Sequence, residues 1–382
     1  MGIIEVDQRG NIAGQWAPPE LSVIVPTYNE RDNIASLYDK LAAALAGTSW
    51  EMIVVDDDSP DGTAELAREL ALQHPNFRVL HRIGRRGLSS ACIEGAASSA
   101  APYVAVIDAD HQHDETKLPQ MLARAKAGDD IVVGSRYAGE GSAGEGLSAT
   151  REAGSRLATQ LSSLLTRTKI SDPMSGFFLM KREVFQEVAP HLSREGFKIL
   201  LDIVVSATRI RRAQGRTLRL GEVPYVFRPR HAGESKMSPI IVLQFLGLLL
   251  SKMVGGVLPV SFLLFSLIGG FGIIVHLVVL WFTHDRLAFS FTIAQLTATI
   301  VAMTTNFVLN NELTYADKKL RGIRYWIGLV SFCVVCSIGA LANVSVAAWI
   351  YQADTNLLLA GFTGALMSLV FNYAVTRVFT WR

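Results

Sequence analysis

Short apolar runs and amphipathic stretches alternate through the first 230 or so residues, and long apolar stretches fill the remainder. In the first part, β-branched runs at Leu21–Pro26, Glu51–Asp56, Phe77–His81, Tyr103–Asp108 and Ile131–Gly134 read as strands. Helical periodicity lies between them, near Arg31–Ala46, Thr63–Gln73, Leu88–Ser99 and Lys117–Lys126. This alternation predicts an α/β fold: a mainly parallel sheet with helices on both faces and binding groups at the carboxyl ends of the strands. In the second part four stretches, about Leu258–Thr283, Leu287–Leu313, Tyr325–Tyr351 and Asn356–Phe379, exceed the roughly 20 residues of a bilayer-spanning helix. They predict an all-α transmembrane domain of four helices over 258–382, joined to a soluble domain over 1–237.

Composition sharpens this division. Half of the 382 residues are hydrophobic, yet only 11 of the 70 charged residues lie beyond position 257. A net charge of +2 without a basic tract argues against nucleic acid as a partner, because phosphate neutralisation needs concentrated positive charge. Cys92 stands alone, and Cys333 and Cys336 sit in an apolar run, where thiols are most simply small core residues. No secretory signal is evident at the start. Lys318, Lys319, Arg321 and Arg324 lie between the second and third spans, so the positive-inside rule places that loop in the cytoplasm. Four crossings then put the soluble domain and both termini on the same side. Ser238–Gly255, apolar and cut off by Pro259, reads as an interfacial or linker helix over 238–257.

Asn306-Phe307, Thr314 and Tyr315 recur in register as Asn372-Tyr373, Thr380 and Trp381. We read an internal repeat of two helical hairpins, each ending in an aromatic anchor at the cytoplasmic face. Asn306, Asn310, Asn343 and Asn372 at membrane depth either bond between helices or line a lipid path, the former being the simpler account. This half resembles the GtrA-like four-helix membrane domain, which is found alone or fused to sugar transferases.

Candidate chemistry gathers at the strand ends of the first half. Pro26-Thr27-Tyr28-Asn29-Glu30 closes the first strand, with Asn29 placed to cap the next helix. Asp56-Asp57-Asp58 and Asp61 follow the second, a density of negative charge that needs ligand donors, a cation or helix N–H groups around it. Asp108-Ala109-Asp110-His111-Gln112 follows the fourth. Its two carboxylates and neutral Gln112 suit a hard divalent ion that also takes diphosphate oxygens.

Taken in order, these three motifs resemble those of the inverting family 2 glycosyltransferases of the GT-A fold. Gly134-Ser135-Arg136-Tyr137, Asp172-Pro173-Met174-Ser175-Gly176, Gly196-Phe197-Lys198 and Gly233-Glu234-Ser235-Lys236 extend the likeness to the dolichol-phosphate mannose synthase branch, over about Leu21–Lys236. The resemblance implies that Pro26, Tyr28, Glu30, Val55 and Asp57 hold the nucleoside. It implies that Asp108, Ala109, Asp110 and Gln112 meet the diphosphate, with Asp108, Asp110 and Gln112 holding Mg2+ or Mn2+. Arg136, Arg151 and Ser155 match residues that receive the lipid phosphate, and Arg230 and Lys236 lie in the segment that closes over the donor. His111 replaces an apolar residue or Ser, and His113-Asp114 a His-Pro pair; either histidine can add a ligand, but solvated surface positions are expected for both.

The chemistry agrees. A phosphate monoester is largely dianionic at neutral pH and needs no general base. The site must instead bring two anions together, with a metal on the leaving group and Arg136, Arg151 and Lys236 as a cationic clamp. The implied activity is transfer of mannose from GDP-mannose to a polyprenyl phosphate, with a UDP-sugar as the alternative donor. A processive polysaccharide synthase would carry a Q-x-x-R-W segment, which is absent. A non-catalytic binder or translocator of lipid-linked sugar would carry a broken metal motif, yet Asp108, Asp110 and Gln112 are all present.

Overall fold

The computed structural model describes residues 19–139, 141–142, 170–193, 199–228, 258–353 and 357–381. The chain divides into two compact units, Met1–Phe245 and Leu246–Arg382. The first runs β1 (Leu21–Thr27), α1 (Arg31–Ala44), β2 (Trp50–Asp56), α2 (Thr63–Gln73), β3 (Phe77–His81), α3 (Leu88–Ser98), β4 (Tyr103–Val106), a 3-10 turn (Glu115–Lys117), α4 (Leu118–Lys126) and β5 (Ile131–Ser135). After these come β6 (Phe178–Lys181), α5 (Arg182–Val188), α6 (Ile199–Ala213) and β7 (Leu220–Pro224). The elements expected before position 135 are all present, with ends displaced by a residue or two. The strands β6 and β7 and the helices α5 and α6 were not among those expectations: a four-residue run such as Phe178–Lys181 has too little periodicity to stand out.

The seven strands lie in the order β3-β2-β1-β4-β6-β5-β7, with β6 antiparallel to both neighbours and every other pair parallel. The sheet is therefore mixed. Every side chain of β1 and β2 is buried, as expected for strands covered on both faces. Val23, Val25 and Val54 pack with Ile34 and Leu37 of α1 on one face. Ile24, Ile53 and Val55 pack with Cys92 and Ala96 of α3 on the other, a core that also takes in Leu200 and Val204 of α6. Gly95 brings α3 onto the sheet, since a Cβ there would run into the side chains of Ile24 and Val55.

An ionic knot closes the far end of the sheet. Buried Asp130, just before β5, pairs through Oδ2 with Arg211 Nη1 of α6 at 2.6 Å and accepts from Arg219 N at 2.9 Å. Arg211 Nε reaches Glu187 of α5 at 2.9 Å. Burial works against the Asp130 carboxylate, but the Arg219 N–H and the Arg211 charge outweigh it and hold its pKa below the usual range.

In the second unit α7 (Val260–Trp281), α8 (Phe291–Leu309), α9 (Ile323–Ala353) and α10 (Leu357–Phe379) are the main helices. Among the described residues three helical segments, Val260–Arg286, Phe291–Thr314 and Ile323–Ile350, are long and apolar enough to cross a membrane. The fourth expected stretch, α10, is a helix of 23 residues. Large apolar side chains such as Leu277, Leu296, Ile300, Val330 and Leu341 face outward, the arrangement of a bundle whose solvent is lipid. Inside, the repeat is visible. Asn306 of α8 lies against Gly272 of α7, and Asn372 of α10 against Gly339 of α9; a Cβ on either glycine would overlap the amide.

The repeat-ending aromatics pack inward: Tyr315 and Trp381 are buried and stack on each other, centroids 4.2 Å apart and planes 14° from parallel. One expectation needs correction: among the described residues Asn306, Asn310 and Asn372 make no bond between helices. Asn310 bonds within its own helical turn, to Asn306 O and Thr314, and the Oδ1 atoms of Asn306 and Asn372 are buried without a partner. The long-range bonds come from Asn311, whose Oδ1 accepts from Trp381 Nε1 at 3.1 Å and Leu320 N at 2.9 Å. Cys333 and Cys336 are free thiols, in keeping with packing residues.

Because Asp130 titrates lower when folded, its contribution is complete above about pH 4 to 5 and is lost as pH falls through the folded pKa. Asp130→Asn should lower stability by about 2 kcal/mol at pH 7. The gap in thermal stability between wild type and variant should narrow progressively as pH falls below about 4; a gap independent of pH would contradict the assignment.

Candidate active site

The mixed sheet brings the motifs to one edge. β1, β2, β4, β5 and β7 all point the same way, so residues after their last members share one rim with the residues that lead into antiparallel β6. Chain order reverses between β1 and β4, the switch point at which α/β sheets open a crevice. Tyr28–Glu30, Asp56–Asp61 and Asp108–His113 flank it, with Arg136, Asp172–Gly176 and Tyr225–Arg228 following along the rim.

Most of the acidic cluster after β2 serves the fold. Asp56 accepts from Thr27 and Ser59. Asp61 accepts from Thr63 and from Arg31 N at 3.2 Å, so it caps α1 from a neighbouring loop. Asn29 was expected to be that cap; instead it sits at φ 57 and its N–H donates to Ser59 Oγ. Asp57 is buried, accepting from Arg82 Nη1 and from Gly87 N, each at 2.7 Å. Burial raises its pKa, while the Gly87 N–H and the Arg82 charge pull it down. Arg82 is itself buried and also donates to Ser90 Oγ.

Of the implied nucleoside residues, Tyr28 and Glu30 reach the crevice partly exposed. Arg86 lies 4.3 Å over the Tyr28 ring, and Glu30 Oε2 accepts from Asn33 Nδ2 at 2.7 Å. Pro26 and Val55 are register partners within the sheet. Val55 is wholly buried in the core, backbone included, and presents no surface to a ligand here.

The D-x-D loop folds as an Asx turn. Gln112 N donates to Asp110 Oδ1 at 3.2 Å, and His111 takes φ 61, which turns Gln112 back beneath Asp110. Gln112 Nε2 donates to Arg228 O at 3.3 Å. A carbonyl can only accept, so the amide orientation is set and its oxygen is the end a cation would take. Ala109 is buried between the two acids. Among the described residues no three His, Cys, Asp or Glu side chains form a metal cluster. Two carboxylates and an amide oxygen are nonetheless a sound donor set for Mg2+ or Mn2+, which keep water and substrate phosphate oxygens in their shell.

Neither histidine is a solvated surface group; both are buried. His111 packs against α1, its Nε2 2.8 Å from Ser36 Oγ and its Nδ1 3.2 Å from Lys40 Nζ. His113 lies between Asp108 Oδ2 at 3.1 Å and Tyr225 OH at 2.8 Å. The cause is the turn itself, which sends successive side chains inward to satisfy groups that the polar sequence suggested would face water.

Arg136 is not an isolated cation. Its Nε and Nη2 donate to the two oxygens of fully buried Asp172, at 2.7 and 2.8 Å, and its guanidinium lies 5.3 Å over Phe227. Burial opposes the charge, but Asp172 outweighs it and raises the Arg136 pKa above its ordinary value. Three of the five guanidinium N–H groups are not engaged by Asp172. Arg151, Ser155, Arg230 and Lys236 lie outside the described residues. Asp172 and Gly176 belonged to a motif noted in the sequence, but only contact reveals their roles. Arg82 and Tyr225 had no local signal at all.

The fold and this rim are those of a glycosyltransferase, and comparison with known proteins agrees. Residues 22–189 match the family described as Glycosyl transferase family 2, and residues 264–381 match the GtrA/DPMS transmembrane domain. A protein of Pyrococcus furiosus named dolichol-phosphate mannosyltransferase is 33% identical over 95% of this chain and 99% of its own. The protein of that name from Saccharomyces cerevisiae is 34% identical over 59% of this chain and 84% of its own. Among solved structures, glucosyl-3-phosphoglycerate synthase of Mycobacterium tuberculosis matches with 19% identity and a TM-score of 0.47, covering 61% of this chain and 80% of that one. The chain belongs to glycosyltransferase family 2 and joins that domain to a GtrA/DPMS transmembrane domain; its relatives include proteins named dolichol-phosphate mannosyltransferase. It is a membrane-associated glycosyltransferase.

Arg82→Leu leaves buried Asp57 with the Gly87 N–H but without its counter-charge, and should cost about 3–5 kcal/mol. The double variant Arg82→Leu/Asp57→Asn should recover much of it. Thermal unfolding measures both, and equal stability of the single variant and wild type would refute the pairing.

Proposed function

We propose that this enzyme transfers mannose from GDP-mannose to a polyprenyl phosphate, such as dolichyl phosphate, with inversion and with help from Mg2+ or Mn2+. The observation that carries the reading is the juxtaposition of the Asp108-Ala109-Asp110-x-Gln112 turn at the switch-point crevice with the Arg136–Asp172 pair farther along the same rim. Similarity to dolichol-phosphate mannosyltransferases over nearly the whole chain supports the sugar and the acceptor.

In this reading Tyr28, Glu30 and Asp57 take the nucleoside, with Pro26 and Val55 as register partners in the strands that carry them. Asp108, Asp110 and Gln112 would hold the metal, which supplies Lewis-acid stabilisation for the departing diphosphate. An oxygen of the lipid phosphate forms a bond to the anomeric carbon as the bond from that carbon to the donor diphosphate breaks, and GDP leaves. No proton need be removed from the attacking group. Arg136, Arg151 and Ser155 receive the acceptor phosphate, so that two anions meet within a cationic frame. Arg230 and Lys236 complete that frame above the donor. Asp172 keeps Arg136 charged and oriented. Four spanning helices would place the soluble domain, the basic Lys318–Arg324 loop and both termini at the cytoplasmic face, following the positive-inside rule.

The test is transfer of labelled sugar into an organic-extractable lipid by purified protein with polyprenyl phosphate and Mg2+ or Mn2+. Label from GDP-mannose is expected; label from UDP-glucose alone would keep the mechanism and change the donor. Asp110→Ala should abolish transfer without disturbing the fold, and near-normal turnover would refute its role. Arg151→Ala should raise the KM for lipid phosphate far more than that for the nucleotide sugar; equal changes would count against it.

A further inference from the structure

We propose that His113 is a positioning residue that fixes the carboxylate of Asp108, with Tyr225 holding the other nitrogen of its ring and Gly176 making room for the carboxylate. This rests on the reading above, in which Asp108 faces the metal and the donor diphosphate.

An ionised carboxylate only accepts, so His113 Nε2, 3.1 Å from Asp108 Oδ2, carries the hydrogen of that bond. Its Nδ1 lies 2.8 Å from the Tyr225 hydroxyl, which can donate to the ring or accept from it. Burial pushes the Tyr225 pKa upward, which keeps that hydroxyl protonated. The chain of bonds thus runs from Tyr225 through His113 to Asp108, a pattern in which outer groups orient a ligating side chain.

Packing locks the ring in place. Centroids of Phe177, Tyr225 and Phe227 lie 5.4, 5.6 and 5.7 Å from that of His113, which is 3% exposed. Gly176 lets the carboxylate pack closely, since a Cβ there would come within 2.8 Å of Asp108 Oδ2. Phe227, which forms one wall of this cage, also lies beneath the Arg136 guanidinium. Three separate segments therefore determine where one oxygen of Asp108 lies: the turn after β4, the approach to β6 and the chain beyond β7.

Two variants test this in the detergent-solubilised full chain. His113→Phe/Tyr225→Phe keeps the aromatic packing and removes both polar partners. Gly176→Ala keeps His113 and displaces the carboxylate. Mn2+ is titrated by electron paramagnetic resonance, with and without GDP, beside thermal unfolding. Each variant should bind Mn2+ about 10- to 100-fold more weakly, with a Tm within about 3 °C of wild type. Wild-type Mn2+ affinity in the double variant overturns the proposal; if that variant does not fold, Gly176→Ala decides alone by the same criterion. Asp108→Ala separates the two readings. Loss of Mn2+ there, with normal affinity in the other variants, overturns the positioning role only. No Mn2+ bound by wild type, or unchanged affinity in Asp108→Ala, overturns the metal reading and this inference with it.

Discussion

Crowding of like charge at one edge of a sheet is the constraint about which the soluble unit is organised. Asp56, Asp57, Asp61, Asp108, Asp110 and Asp172 all lie on the rim, and their mutual repulsion in a low-dielectric setting would be costly if they were bare. The fold supplies donors for them. Backbone N–H groups serve Asp57, Asp61 and Asp110; Arg82 and Arg136 neutralise Asp57 and Asp172; and His113 bonds Asp108. The acids are thereby fixed in place before any ligand arrives, which is the condition for a site that binds without first reorganising.

The same donors divide the acids by task. Asp56 and Asp61 are consumed in holding the first two strand-end loops together, and their removal would loosen the crevice rather than remove a ligand. Asp172 is spent on Arg136, which is more useful near a phosphate as an oriented, permanently charged fork than as a mobile surface side chain. Asp108 and Asp110 remain the pair suited to a hard cation, on a turn whose geometry is set by hydrogen bonds within the loop and to Arg228.

The membrane unit solves a different problem with the same economy of polar groups. Lipid gives apolar side chains no preference for the bundle interior, so close backbone approach and polar contacts must hold the helices together. Glycines at 272 and 339 admit the repeat-related asparagines 306 and 372, and the two repeat-ending aromatics meet in one buried stack. Asn311 then ties Trp381 and Leu320 together.

The amino-acid sequence by itself determined the two-part architecture, the early strands and helices, and the three motifs at the strand ends. Each depends on local periodicity or on residues adjacent in the chain, and a period of two or of 3.6 is visible without any partner. Two kinds of fact were not legible. The later strands β6 and β7 are short, and their place in the sheet follows from pairing with strands more than 40 residues earlier. The buried states of His111, His113, Tyr315 and Trp381 ran against their polar or interfacial character, because burial is decided by what packs over a residue rather than by its own chemistry. Tertiary structure alone decided that Asp61 caps a helix from another loop, that Arg136 is paired with Asp172, and that Tyr225, His113 and Gly176 converge on Asp108. Hydrogen bonds and ion pairs act over about 3 Å of space whatever the separation along the chain, and only the folded sheet brings such groups within that range.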